Sequence, residues 1–315
     1  MQRKRIFLTG GSGCIGHYLA EALIQETEHE LYILVRNPQR LHFDYQARPG
    51  ITVLTGDLKE ISKFAELLPS INIAILAATA WGGKDEVFDV NVRSTIELIN
   101  LLDPIVCEQV IYFSTASILD HQNQLLPEAK EIGTNYIQTK YQCYTQLSQI
   151  AIAPKITTLF PTLVLGGDDH KPYSHISSGL PNIVKWIDLA RWFKADGSFH
   201  FIHARDIAQI VNHLVANPPE TNQEFVLGNE PLSVNQAMEQ VCLYLDKRIL
   251  VRIPLSLWLA NLFIKLFYIR MADWDRFCLN YRHFTYQNFV NPARFGLTNY
   301  CSDLADALKL ARVVS

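Results

Sequence analysis

Arg5-Ile6-Phe7-Leu8-Thr9-Gly10-Gly11-Ser12-Gly13-Cys14-Ile15-Gly16 runs from an apolar, strand-like segment through a glycine-rich turn into the helical pattern of Cys14–Glu26. Residues without a Cβ let backbone N–H groups approach a pyrophosphate, while the start of the following helix supplies positive dipole. Two glycine frames fit the turn, Gly11-x-Gly13-x-x-Gly16 and Gly10-x-x-Gly13-x-x-Gly16. A glycine triplet alone is a weak signal, but its place between a first strand and a helix makes it a strong one. The turn therefore nominates Gly10, Gly13, Cys14, Ile15 and Gly16 as contacts to a dinucleotide.

Working outward, short β-branched or aliphatic runs recur at Glu30–Arg36, Ile51–Thr55, Ile71–Ala77, Val110–Ser114 and Lys155–Leu165. Helical spacing fills the intervals over Ser62–Leu68, Glu86–Leu102 and Thr134–Ile152. This alternation predicts the α/β class, with a doubly wound parallel sheet of the Rossmann type. Beyond Gly166 the order loosens. A strand is expected at Phe199–His203, a helix at Arg205–Ala216 closed by Asn217-Pro218-Pro219, a strand at Glu224–Leu227, and a helix capped by Ser233 through Leu245. The expected division is an NAD(P)-binding domain at 1–166, with 199–228 returning to it, and a smaller, mostly C-terminal substrate-binding lobe at 167–198 and 229–315.

Of 315 residues 49% are apolar and 19% charged, and 28 Lys+Arg against 31 Asp+Glu leave a net charge of -3. This excludes disorder over most of the chain and gives no global bias toward nucleic acid or anionic lipid, so no nucleic-acid partner is expected. The six cysteines form no CxxC pair and no metal-ligand spacing, which suits a reducing compartment. After the basic start, Ile6–Thr9 is too short for the apolar core of a signal peptide. The segment Leu255 to Ile269, interrupted by Asn261 and Lys265, falls short of the roughly 20 residues of a spanning helix. A cytoplasmic protein is expected.

The second apolar run ends at Leu34-Val35-Arg36-Asn37-Pro38. A carboxylate at such a strand end suits the ribose hydroxyls of NAD, whereas an arginine suits a 2′-phosphate. Arg36 thus points to NADP, with NAD the alternative, since Asn37 serves a ribose hydroxyl equally well. Gly56-Asp57-Leu58 closes the third run, where Asp57 either accepts a hydrogen bond from an adenine amino group or caps the next helix.

Tyr136-Ile137-Gln138-Thr139-Lys140 places a phenol and an ammonium at i and i+4, on one helix face. A phenol of pKa about 10 exchanges protons near neutrality only when a cation stabilises its phenolate. Together with the glycine turn, this order of signals resembles the extended short-chain dehydrogenase/reductase superfamily, which includes the NAD-dependent epimerases and dehydratases. The likeness spans roughly residues 5–230. It implies that Thr115, with Ser114 and Ser117 as alternatives, binds the reacting oxygen, that Tyr136 is the general acid or base, and that Lys140 supports it and holds the nicotinamide ribose. It further implies that Ala77, Ala78 and Pro161 border the cofactor, that Asn91 is structural, and that Asp206 is a structural cap. The sequence departs from nucleotide-sugar members, having Ile118-Leu119-Asp120 for Val-Tyr-Gly and Phe160-Pro161 for Arg-Pro. Ala116-Ser117 replaces the Asp-Glu pair of dehydratases, which argues against sugar 4,6-dehydration.

The chemistry implied is hydride transfer between nicotinamide and a hydroxyl- or carbonyl-bearing carbon of a small or moderately apolar substrate. The rivals are nucleotide-sugar epimerisation with tightly held NAD, and non-catalytic cofactor binding. Homodimers are common in the superfamily, which makes Glu86–Leu102 and Thr134–Ile152 candidate interface helices. The helical wheel of 255–269 sets Asn261, Lys265 and Tyr268 on one side of an otherwise apolar helix, which either packs inside the second lobe, covers an apolar substrate or makes peripheral contact with a membrane. Arg276 and Arg282 are read as solvated or cation–π surface residues, with an anionic substrate group as the alternative.

Overall fold

The computed structural model describes residues 3–311, the side chains of residues 182 and 183 apart. The outer ends of the two expected domain ranges, 1–2 and 312–315, lie outside the described residues. Along the first half, strands and helices alternate as β1 (Arg5–Thr9), α1 (Cys14–Glu26), β2 (Glu30–Val35), β3 (Ile51–Thr55), β4 (Ile73–Leu76), α2 (Lys84–Phe88), α3 (Thr95–Asn100), β5 (Gln109–Phe113), α4 (Pro127–Glu131), α5 (Asn135–Leu147) and β6 (Ile156–Pro161). The second half carries β7 (Leu163–Leu165), α6 (His175–Lys185), α7 (Ile187–Ala190), β8 (Phe193–Lys194), β9 (Ser198–Phe199), β10 (Phe201–His203), α8 (Ala204–Ala216) and β11 (Gln223–Leu227). It continues with β12 (Leu232–Ser233), α9 (Val234–Tyr244), β13 (Ile253–Pro254), α10 (Leu257–Leu266), α11 (Asp273–Tyr281), β14 (His283–Phe284) and α12 (Leu304–Leu310).

A seven-stranded sheet of order β11-β6-β5-β4-β1-β2-β3 forms the centre, and each neighbouring pair is parallel. Strands buried on both faces explain the unbroken apolar runs: β4 and β5 bury every residue. One apolar layer joins α1 and α8 to the sheet through Leu19, Leu23, Ile207, Ile210 and Val211. The other face packs Leu98, Ile99, Cys143 and Leu147 against Ala74, Val110 and Tyr112. The strand order reverses between β1 and β4, which opens the crevice where ligands of such sheets bind.

Four expected elements differ from those observed. The Lys155–Leu165 run breaks at Thr162, whose N–H and hydroxyl both donate to the Leu227 carbonyl (3.0 and 2.8 Å), and β7 leaves the sheet to pair with β10. Ser62–Leu68 becomes two short 3-10 turns, Leu58–Phe64 and Leu68–Ser70, kinked at Glu60. Glu86–Leu102 is helical but carries a π turn over Asp89–Ser94, where the Thr95 hydroxyl donates to the Val90 carbonyl. Phe199–His203 is interrupted by His200, whose buried ring bonds the Asn229 carbonyl (2.6 Å) and accepts from the Tyr286 N–H.

Asp206 corrects the cap reading. Its carboxylate, fully buried, accepts from the N–H groups of Tyr300 and Cys301 and so clamps the C-terminal segment to α8, while the His203 ring caps that helix. Burial raises the Asp206 carboxyl to about 6, against the two N–H donors and Arg205, which lower it. Burial, followed by the Arg205 charge, lowers His203 to about 4.

The two shifts oppose each other. A lowered histidine contributes stability above the unfolded pKa that is lost as pH falls from about 6.5 toward 4. A raised carboxyl contributes stability at low pH that is lost as pH rises from about 4 through 6. His203→Asn, which retains a capping oxygen, removes the first effect alone. Relative to the parent it gains on the order of 2 kcal/mol between pH 7 and pH 5, read from thermal melts at both pH values.

Candidate active site

The glycine turn between β1 and α1 is held by backbone contact. A Cβ on Gly16 would lie 2.0 Å from the Gly10 carbonyl oxygen, and one on Gly10, at φ +79°, would lie 2.6 Å from the Ala78 nitrogen. Gly11 instead abuts the Ile33 side chain and does not border the cleft. The geometry therefore selects the Gly10-x-x-Gly13-x-x-Gly16 frame. Gly13 occupies the N-cap position of α1 without any side-chain cap, which leaves the N–H groups of the first turn, at Cys14, Ile15 and Gly16, without a side-chain acceptor. Its carbonyl is fixed from behind by the backbone N–H and the ring Nδ1 of the buried His17, both at 3.0 Å.

These groups border a cleft of about 940 Å³ along the carboxyl ends of the strands. Of the sequence-nominated residues, Gly10, Gly13, Cys14, Ile15, Gly16, Arg36, Asp57, Leu58, Ala77, Ala78, Thr115, Tyr136, Lys140 and Pro161 lie on it, and Asn37 does not. At one end Arg36 follows β2, exposed and 3.6 Å from the Glu86 carboxylate. Asp57 caps the turn after β3 by accepting from the Lys59 N–H at 2.9 Å. Ala78 donates its N–H to the Thr9 hydroxyl, closing β4 onto β1.

At the other end β5 delivers Thr115 and α5 delivers Tyr136 and Lys140. Thr134 caps α5 through the Ile137 N–H, and one turn further on the helix carries Lys140 beneath the end of β5. Lys140 is almost fully buried, donates to the Phe113 carbonyl at 2.7 Å, and lies over the Tyr112 ring. Burial lowers its ammonium to about 8, with Cys143 opposing. Tyr136 is pushed up to about 12 by burial, offset in part by its hydrogen bond with Thr115. The ammonium stands 6.0 Å from the Tyr136 ring centre, so desolvation and not the expected cationic stabilisation governs this phenol. Thr115, of the three candidate hydroxyls, is the one whose bond moves the tyrosine.

Among the cleft residues that sequence reading missed are Trp81, His175, Arg40 and Glu86. Trp81 stacks on Tyr136 with ring centres 3.8 Å apart, and His175, at the start of α6, also stacks with Trp81, at 5.8 Å. Asn91 steadies the loop before Trp81: its side chain accepts from the Ala80 N–H and the Thr79 hydroxyl and donates to the Ala80 carbonyl and the Thr139 hydroxyl. Trp81 directly follows the alanine-rich end of β4 and was open to sequence reading; His175 returns from the second lobe and had no local signal. Arg276 and Arg282 do not border the cleft, and Arg282 pairs with Asp196.

Gly16→Ala and Gly13→Ala separate the two roles of the turn. Gly16→Ala is expected to lower stability by about 2–4 kcal/mol, since backbone must move. A Cβ on Gly13 meets its neighbour at an ordinary 3.4 Å, so Gly13→Ala keeps the parent melting temperature while it crowds the cleft and weakens nucleotide binding in a fluorescence titration.

The sequence model of the family described as "NAD dependent epimerase/dehydratase family" matches residues 6–228. No curated protein matches the chain by sequence. Among solved structures, gox2253 superposes with a TM-score of 0.70 at 17% identity, covering 98% of each chain. WbmG of Bordetella bronchiseptica in complex with NAD gives 0.66 at 16% identity over 99% of this chain and 93% of that one. DesIV, a dTDP-glucose 4,6-dehydratase from Streptomyces venezuelae with NAD and TYD bound, gives 0.67 at 15% identity over 98% and 96%.

Proposed function

The chain belongs to the NAD-dependent epimerase/dehydratase family, and within it we propose an NADP-preferring oxidoreductase that acts on a hydroxyl or carbonyl carbon, with Tyr136 as general acid or base. The observation that carries this reading is one cleft with the uncapped start of α1 at its middle and Thr115, Tyr136 and Lys140 at its end. The residues present fit a dinucleotide: Gly10 and Gly16 let the turn close on its own backbone, Gly13 leaves open space on the cleft, and the first turn of α1 offers N–H donors without a side-chain acceptor for a pyrophosphate. That Arg36 and Arg40 both border the cleft supports the reading of a 2′-phosphate there, with Asp57 and Leu58 read as the adenine end and Ala77, Ala78 and Pro161 along the rest.

A nicotinamide bound in such a site supplies hydride transfer at its C4. The chain supplies the proton and the orientation. Tyr136 is protonated at pH 7 and so holds the proton that a carbonyl oxygen bound by the Thr115 hydroxyl would take. Burial, which raises it to about 12, makes it a weak acid until charge near its oxygen is stabilised. Lys140, anchored on the Phe113 carbonyl, provides the buried positive charge toward which developing phenolate charge is drawn. Trp81 covers one face of Tyr136 and excludes water from it, which favours an apolar substrate edge at that position.

One observation favours a second reading. Glu86 partly neutralises Arg36 and adds a carboxylate to the place a 2′-phosphate would take, which suits NAD and an epimerase that keeps it. A paired titration with NADPH and NADH, after release of any retained nicotinamide by denaturation, separates the two. The proposal expects no retained cofactor, tighter NADPH than NADH, and loss of that difference in Arg36→Ala. Tyr136→Phe is expected to lower turnover in a carbonyl screen by roughly 10²–10⁴ with nucleotide affinity kept. Retained NAD supports the epimerase, and binding of neither nucleotide overturns both readings.

A further inference from the structure

Helix α10 inverts the usual pattern of a surface helix. Among the described residues it buries no side chain, and its outward stripe at i, i+4 and i+8 is Trp258, Leu262 and Leu266, which are 73%, 42% and 62% exposed. The chain that leaves it adds Phe267, Tyr268 and Ile269, at 67%, 90% and 52%. The chain that enters it adds Leu250, Val251 and Ile253, at 77%, 66% and 53%. Exposed apolar side chains gathered along one stretch of chain, with a tryptophan and a tyrosine among them, mark a surface meant to be covered.

Charge identifies what covers it. Residues 247–272 hold Lys247, Arg248, Arg252, Lys265 and Arg270 and not one Asp or Glu, in a chain whose net charge is -3. Lys247 and Arg252 are engaged by Asp188 and Glu239, but Arg248, Lys265 and Arg270 are exposed with no carboxylate at ion-pair distance among the described residues. Two copies meeting through this face would set like charges against each other, which disfavours self-association. A negatively charged lipid surface satisfies both features at once, since it takes aromatic and aliphatic side chains into the headgroup boundary and attracts the lysine and arginines around them. No helix among the described residues is long and apolar enough to cross a membrane, so the contact is parallel to the surface. We propose that α10 and its flanking segments dock on an anionic phospholipid bilayer.

The full chain is sedimented with vesicles of phosphatidylcholine alone and of phosphatidylcholine with phosphatidylglycerol, and tryptophan emission is followed in parallel. The expected result is binding to the anionic vesicles that weakens with salt, with a blue shift lost in Trp258→Phe. A triple variant, W258S with L262S and L266S, is expected to lose at least ~100-fold in partition, and K265E with R270E about tenfold or more, both with the parent melting temperature. Failure of the parent chain to bind either vesicle overturns the proposal, as does binding that both variants retain. A concentration-dependent dimer in sedimentation velocity that the triple variant abolishes also overturns it, in favour of a second copy as occupant.

Discussion

The approach of Gly16 to the Gly10 carbonyl is the contact on which the remainder of the molecule is arranged. With no room for a Cβ there, β1 turns directly into α1, and Gly10 is pressed at the same time against Ala77 and Ala78 at the end of β4. That single turn therefore fixes three elements around the point where the sheet order reverses. It also leaves α1 without a side-chain cap, so the polarity of its start is turned to the cleft and not spent within the chain.

From this centre the site is built in two halves with different physics. The dinucleotide half is made of backbone: glycines, an open helix start, and strand ends whose side chains are small. The reacting half is made of side chains, where the buried Lys140 is held by a main-chain carbonyl and the half-buried Tyr136 is stacked against Trp81. Burial moves both titrations, raising the phenol and lowering the ammonium, which brings a neutral donor and a marginal cation into one pocket. Asn91 links the halves, since it ties the loop that carries Trp81 to Thr139 on the helix that carries Tyr136.

Much of this was legible because it is local in sequence. A glycine turn between a strand and a helix, buried strands read as apolar runs, and a phenol four residues before an ammonium are short-range signals, and the structure gathers all of them on one cleft. Three misses share a cause: long-range contacts that no window contains. Thr162 ends β6 by bonding a carbonyl at residue 227, His200 splits a strand by bonding residues 229 and 286, and Asp206 clamps residues 300 and 301. The 255–269 segment shows the same limit, since a helical wheel does not say which side faces inward, and here Trp258, Leu262 and Leu266 share the outer side with Lys265.

The central claim is that the open first turn of α1 receives the pyrophosphate of a nicotinamide dinucleotide. Amide hydrogen exchange with and without NADPH addresses it at single residues. Exchange at Cys14, Ile15 and Gly16 should slow on addition of nucleotide, while the β-strand amides, already bonded in the sheet, change little. Nucleotide binding with unchanged exchange at these three amides would contradict the account.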